Sequence, residues 1–140
     1  MFWSLYFDGS KSSEGAGAGC ILVSPKGEKT MLSCMLEFKC TNNTVEYEAL
    51  IQGLYKAIGL KVQYLKVFGD SEIVIKQVRI TIHCLSSHLK HYQSLVQDLI
   101  SQFLAFNISP IPRSQNAVEN LLANVASKLL PSEDYSQTDS

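Results

Sequence analysis

The amino-acid sequence predicts an α/β domain with a five-stranded mixed sheet, the first three strands antiparallel, flanked by helices. Three strand-like segments separated by turn residues follow one another at the N-terminus, which is typical of an antiparallel meander. Beyond them, segments with helical periodicity alternate with two more strand-like segments, an order that indicates helices packed on a sheet. The 140 residues, 46% of them hydrophobic and 18% charged, are sufficient for one globular domain with a substantial core.

The N-terminal meander is predicted from turn residues and apolar runs. KSSEGAGAG is expected to form a flexible turn after the first strand, because glycine and serine dominate it. The strands predicted on either side of this turn and of the next turn are Trp3–Asp8, Cys20–Val23 and Lys29–Phe38.

The remainder of the chain is predicted to alternate between helices and strands. The first helix begins at Asn43 or Thr44, either of which can cap it, and ends at Gly59. The later elements are a strand over Val62–Phe68, helices over Ser71–Val78 and His88–Phe103, an edge strand over Asn107–Ile111 and a helix over Asn116–Leu129. The domain is therefore expected to span residues 1–130, followed by a disordered acidic tail over 131–140.

Composition and charge exclude several classes of protein. No apolar run approaches the roughly 20 residues of a membrane span, and no signal peptide is visible. The four cysteines have neither C-x-x-C nor zinc-site spacing, which indicates reduced thiols. We therefore expect an intracellular monomer, cytoplasmic or nuclear, that does not engage a membrane. With a net charge of −1, any nucleic-acid binding must come from a local patch.

Two strands are predicted to end in an acidic residue. Asp8 follows the apolar run WSLYF, and Asp70 follows YLKVFG. Asp8 has an alternative explanation as half of an Asp-Gly turn, and Asp70 as the cap of the following helix.

A third acid, Glu46, is predicted to face the sheet from the intervening helix. At 100° per residue it falls on the face that carries Ala49, Leu50 and Gly53, whereas Glu48 falls toward solvent. The alternative is an ordinary core-edge glutamate paired with a lysine or arginine. Three converging carboxylates repel one another unless protons or cations compensate, and oxygen ligands of this kind suit Mg²⁺ or Mn²⁺.

Four sequence blocks resemble the signature blocks of ribonuclease H domains, closest to the reverse transcriptase-like form found in plant retrotransposon polyproteins. They are DGSKSSEGAGAGCILVSPKGE, TNNTVEYEALIQGL, FGDSEIVIKQV and IPRSQNAVENLLANVAS, in the family's order. The resemblance covers Trp3 to Ser127 and implies an endonuclease that cuts the RNA strand of an RNA/DNA hybrid with two Mg²⁺ or Mn²⁺ ions.

The resemblance also implies roles for individual residues. Asp8 would bridge the two ions, Glu46 would hold the ion near the leaving group, and Asp70 would complete the site. Asn42 and Asn43 would touch the minor groove, where the 2′-hydroxyl distinguishes RNA from DNA. The other residues expected to contact substrate are Gly9, Ser10, Ser71 and Arg113.

The sequence departs from the family's pattern at several points. Asn120 stands where the family has its fourth acid, and Glu119 points about 100° away from that position on a helix. An asparagine carbonyl can still ligate a hard cation but brings no negative charge, so we expect weakened catalysis. Glu72 stands where the family often has glutamine, and no basic, tryptophan-rich helix is present, so the grip on substrate should be weak.

Two functions therefore remain open. The first is a weakened ribonuclease H-type nuclease with Asp8, Glu46, Asp70 and Asn120 as its catalytic and metal-binding residues. The second is a catalytically inactive, retroelement-derived domain that binds nucleic acid or a protein partner, with an interaction surface on the apolar helix around Leu95 and Ile100. A protein partner that supplies extra grip on nucleic acid is compatible with either function, and the chain could be a standalone protein or part of a polyprotein.

Overall fold

The computed structural model describes residues 1–12, 15–36, 41–80 and 87–111. In chain order the elements are β1 (Trp3–Ser12), β2 (Gly15–Val23), β3 (Lys29–Leu36), α1 (Asn42–Gly59), β4 (Tyr64–Gly69), α2 (Glu72–Val78), α3 (Ser87–Ile100) and β5 (Ala105–Pro110). The predicted last helix and the predicted acidic tail lie outside the described residues. Within the described part of the chain, no helix is long and apolar enough to cross a bilayer.

The strands form one five-stranded mixed sheet in the order β3-β2-β1-β4-β5. β1, β2 and β3 pair antiparallel, whereas β4 pairs parallel with both β1 and β5. This confirms the predicted mixed sheet with three antiparallel strands at its start. The proline-containing strand β5 lies at the sheet edge, as predicted, where a missing ladder donor is tolerated.

The predicted flexible turn after Asp8 is wrong. β1 continues to Ser12 and β2 already begins at Gly15, so the Gly/Ala segment pairs along its length with the second half of β1. Ala16 and Ala18 are buried on the core side and alternate with glycines. Backbone pairing and burial of the alanines outweigh the weak strand propensity of glycine, which tertiary context commonly overrides.

Helix α1 begins earlier than the sequence predicted. Its N-cap is Thr41, whose hydroxyl accepts a hydrogen bond from the Thr44 amide at 3.2 Å. Asn43 and Thr44, which were predicted as caps, therefore lie in the first turn. The cap is shifted because Thr41 satisfies a free amide donor at the helix start as well as asparagine would.

The face of α1 that was predicted to face the sheet is confirmed. Ala49, Leu50, Leu54 and Ala57 are all buried in the core beneath the sheet. Between them, Gly53 lies so close to β1 that a Cβ added there would be 2.6 Å from both Leu5 methyl carbons. The absence of a side chain at Gly53 therefore sets how closely the helix approaches the strand.

Replacement of Gly53 by alanine should destabilise the protein, because buried Leu5 cannot move away from the new methyl group. Gly59→Ala, at the other end of the same helix, is the matched control, since a Cβ there meets nothing within 4 Å. Alanine is favoured over glycine by helix propensity in both variants, so the difference between them reports the clash. Urea denaturation should give a free energy of unfolding about 1–3 kcal/mol lower for Gly53→Ala than for Gly59→Ala. Equal stabilities would contradict this account of the close approach.

Candidate active site

Asp8 lies inside strand β1 and not at its end. It pairs with Gly19 of β2, and Gly9 pairs with Ala18, so the two residues are extended strand and the Asp-Gly turn explanation is wrong. The Asp8 side chain is half-buried. Its neighbour on the other side is the end of β4, because the parallel register pairs Phe7 with Gly69.

Glu46 points from α1 toward β1, as predicted, and only 9% of its surface is exposed. Gly9 makes this approach possible. A Cβ at Gly9 would lie 2.4 Å from Val45 Cγ1 and 3.2 Å from Glu46 Oε1. Gly9 was predicted to contact substrate, and the structure gives it a packing role that brings the Glu46 carboxyl group against the strand that carries Asp8.

The environment of Glu46 favours its neutral form. Burial, followed by the charge of Asp8, raises the pKa of Glu46 from 4.5 to about 8, and the charge of Asp70 and a hydrogen bond with the Asp8 carboxyl group act in the same direction. The backbone N–H of Gly9 opposes them by stabilising the carboxylate. The two carboxyl groups of Asp8 and Glu46 therefore interact directly, and Asp70 acts on Glu46 through its charge.

One carboxyl oxygen of Glu46, Oε1, is buried and accepts no hydrogen bond. The alternative of a core-edge glutamate paired with a basic residue fails within the described residues, where no ion pair joins Glu46 to a lysine or arginine. A buried oxygen without a donor, beside a second carboxylate, fits a divalent cation, since Mg²⁺ is commonly held by one or two protein carboxylates, waters and substrate phosphates.

Asp70 directly follows β4 and is exposed. It does not cap helix α2, because Ser71 is the N-cap and accepts a hydrogen bond from the Val74 amide at 3.3 Å. Among the residues that the structure describes, no three Asp, Glu, His or Cys side chains lie close enough together to hold a metal ion. Asp70 therefore stands at longer range from the pair formed by Asp8 and Glu46.

The structure describes some of the other predicted site residues and leaves two of them outside its described ranges. Ser10 lies in β1 opposite Gly17, and Asn42 and Asn43 open α1, four and three residues before Glu46. Ser71 is half-buried at the start of α2, where its hydroxyl is used as a helix cap. Arg113 and Asn120 lie outside the described residues, so their roles stay predictions.

Sequence reasoning missed a polar cluster next to Glu46. Tyr47 is buried and donates its hydroxyl to Gln77 Oε1 at 2.8 Å. Glu48 was predicted to face solvent, but it is half-buried and accepts a hydrogen bond from the Tyr92 hydroxyl at 2.6 Å. One feature of the sequence could have predicted this cluster. Gln77 follows Val74 by three residues and so lies on the apolar face of α2, where a buried polar side chain needs a hydrogen-bond partner.

The chain is similar in sequence to proteins of known family. Residues 6–126 match the family model described as reverse transcriptase-like. Over 123 residues the chain is 32% identical to ribonuclease HI of Halobacterium salinarum, a match that covers 86% of this chain and 62% of that protein. The chain thus spans less than two thirds of the length of this relative.

Solved structures share the fold over nearly the whole chain. The crystal structure of RNase H1 from Halobacterium salinarum has a TM-score of 0.82 at 26% identity and covers 92% of this chain and 97% of that one. The N-terminal RNase H domain of a Mycobacterium tuberculosis protein has a TM-score of 0.80 at 25% identity, covering 94% and 100%. LC11-RNase H1 in complex with an RNA/DNA hybrid has a TM-score of 0.77, covering 91% and 96%, and at 24% identity shows likeness of fold alone.

The stability of the metal-free protein should depend on the ionisation of Glu46. Its pKa is raised to about 8 in the folded state from 4.5, so the neutral form stabilises the fold at low pH and that stability is lost as the pH rises between these values. In EDTA, Glu46→Gln should have the same free energy of unfolding as the unsubstituted protein near pH 4.5. Above about pH 8 it should be more stable than the unsubstituted protein by about 2–5 kcal/mol.

Glu48→Gln, two residues further along α1, is the matched control for this measurement and should retain the pH slope. Urea denaturation across the pH range compares the three proteins. Parallel curves for Glu46→Gln and the unsubstituted protein would show that Glu46 ionises freely in the fold.

Proposed function

The chain is a ribonuclease H domain of the reverse transcriptase-like family, and on that premise we propose that it hydrolyses the RNA strand of RNA/DNA hybrids. The observation that carries the proposal is the pair formed by the half-buried Asp8 carboxyl group and the buried Glu46 carboxyl group, with a Glu46 oxygen that no donor satisfies. The hybrid bound in the LC11-RNase H1 structure, which shares this fold, supports the substrate class.

Asp8 and Glu46 are the groups that would hold a divalent cation. Glu46 would lose its proton when a cation binds, because the positive charge offsets both burial and repulsion by Asp8. When bound, two Mg²⁺ or Mn²⁺ ions would activate a water molecule and stabilise the oxygen that leaves the scissile phosphate. Asp70, exposed at the end of β4, would complete the site once substrate phosphates bring their own oxygens.

Asn120 is proposed to weaken this activity. By resemblance it occupies the fourth acidic position, where an amide oxygen can ligate a cation but adds no negative charge. Removal of one charge lowers attraction for the cations, so the protein should depend more on Mn²⁺ than a four-carboxylate site would.

A second function, as a catalytically inactive domain, is favoured by the exposed negative charge of Glu72, which would weaken the hold on substrate that cleavage needs. Glu72 lies in the first turn of α2, two residues after Asp70, where it would face substrate phosphates. The surface proposed for a protein partner is less favourable than the sequence suggested, because Val96, Leu99 and Ile100 of α3 pack on the core. Leu95 alone remains 36% exposed, which does not make a patch.

Cleavage of an end-labelled RNA/DNA hybrid tests the proposal. Activity in Mn²⁺ should fall at least about a hundredfold in Asp8→Asn, because the carboxylate nearest Glu46 is lost. Asn120→Asp should raise activity, most clearly in Mg²⁺, because it restores a charged ligand. Cleavage that Asp8→Asn leaves unchanged would point to a contaminant, and cleavage by Asn120→Asp alone would favour the second function.

Glu72→Gln should tighten binding to a hybrid about twofold to threefold at about 50 mM salt, because it removes an exposed negative charge that repels phosphate. Glu28→Gln is the matched control: it makes the same charge change in the β2–β3 turn, at the end of the sheet away from Asp8. Fluorescence anisotropy in EDTA should show the advantage of Glu72→Gln shrink at about 200 mM salt. Equal affinities of the two variants would place Glu72 away from the nucleic acid.

A further inference from the structure

A buried hydrogen bond joins α1 to α2 one residue away from Glu46. The Tyr47 hydroxyl donates to Gln77 Oε1 at 2.8 Å, and the two residues are 0% and 4% exposed. Gln77 lies in the last turn of α2, the helix that begins directly after Asp70 and Ser71. The bond therefore connects the helix that carries Glu46 to the segment that carries Asp70.

Both partners of this bond are held in orientation by α3. Gln93 donates to the backbone oxygen of Gln77, and Gln97 to that of Val78, each at 2.6 Å. The ring of Tyr92 stacks on the ring of Tyr47, with centroids 5.4 Å apart and planes inclined by 16°. The end of α2 and the Tyr47 ring therefore have little freedom to turn.

Stability alone does not explain a polar pair at this depth. A buried tyrosine and glutamine lose their hydration, and apolar side chains of similar shape would stabilise the packing about equally well. What a hydrogen bond adds is direction, because it weakens steeply when its length or angle changes. The pair therefore fixes the position of α2 against α1 more narrowly than apolar contacts would.

The separations among Asp8, Glu46 and Asp70 are set by different contacts. The close approach at Gly9 sets the separation of Asp8 from Glu46. The register that pairs Phe7 with Gly69 sets that of Asp8 from Asp70. Neither contact joins α1 to α2. The hydrogen bond from Tyr47 to Gln77 does join them, between the segment that carries Glu46 and the segment that carries Asp70.

We propose that Tyr47 and Gln77 are positioning residues that set the separation between Glu46 and Asp70 and, through it, the affinity of the site for divalent cations. This inference rests on the proposed function, since it assigns the pair a role toward the cations of the same site. Tyr47 and Gln77 are buried, so neither would touch substrate or cation. Their effect would be transmitted through α1 and α2.

Binding of Mn²⁺, followed by the electron paramagnetic resonance signal of the free ion, separates positioning from stability. Tyr47→Phe leaves the Gln77 amide without its donor and should lower both the urea midpoint and Mn²⁺ affinity. The double variant Tyr47→Phe/Gln77→Met replaces both polar groups and should regain most of the urea midpoint. Its Mn²⁺ affinity should remain about tenfold weaker than that of the unsubstituted protein.

Tyr92→Phe is the matched control, because it keeps the ring that stacks on Tyr47 and removes a hydroxyl that donates to Glu48 on α1. Its Mn²⁺ affinity should stay within about twofold of the unsubstituted protein. A double variant that binds Mn²⁺ as tightly as the unsubstituted protein would overturn the positioning role and leave the proposed function intact.

A different result would contradict the proposed function: Asp8→Asn would bind Mn²⁺ with the same affinity as the unsubstituted protein. Amide hydrogen exchange of the metal-free protein then decides the positioning role by itself. Faster exchange of the Ile75 and Arg79 amides, which donate to the carbonyls of Ser71 and Ile75, in the double variant than in Tyr92→Phe would support it, and equal exchange would overturn it.

Discussion

The close approach of α1 to β1 is the constraint on which the rest of this structure depends. Two glycines allow this approach. Gly53 on the helix lies against Leu5 of the strand, and Gly9 on the strand lies against Val45 of the helix. Any side chain at either position would push the helix outward. Because Glu46 follows Val45 directly, the depth to which its carboxyl group enters the protein is decided by these two contacts.

The depth of the Glu46 carboxyl group has an electrostatic cost. Burial and the neighbouring Asp8 raise the pKa of Glu46 to about 8, and one of its oxygens has no donor. A site selected for stability alone would place an amide or an apolar group there. Under the proposed function, a bound cation would supply the missing positive charge and relieve this cost.

The sequence predicted this architecture well where periodicity and burial act together. The inward face of α1 and the edge position of β5 follow from apolar spacing and from proline chemistry, and both are observed. It failed at Gly15–Gly19, because glycine signals a turn locally and only pairing with β1 makes that segment a strand. It also missed the partner of Tyr47, because Gln77 is 30 residues away and nothing local specifies a long-range hydrogen bond.

The three distances among Asp8, Glu46 and Asp70 differ in how easily substitutions can change them. Two of them depend on the backbone, through the strand register and the glycine contact, and any change there also disturbs the core that holds the fold together. The third depends on one side-chain pair, Tyr47 and Gln77, which apolar residues of similar volume can replace without loss of packing. Under the proposed positioning role, adjustment of the distance from Glu46 to Asp70 would be a route by which cation binding is tuned while the fold keeps its stability.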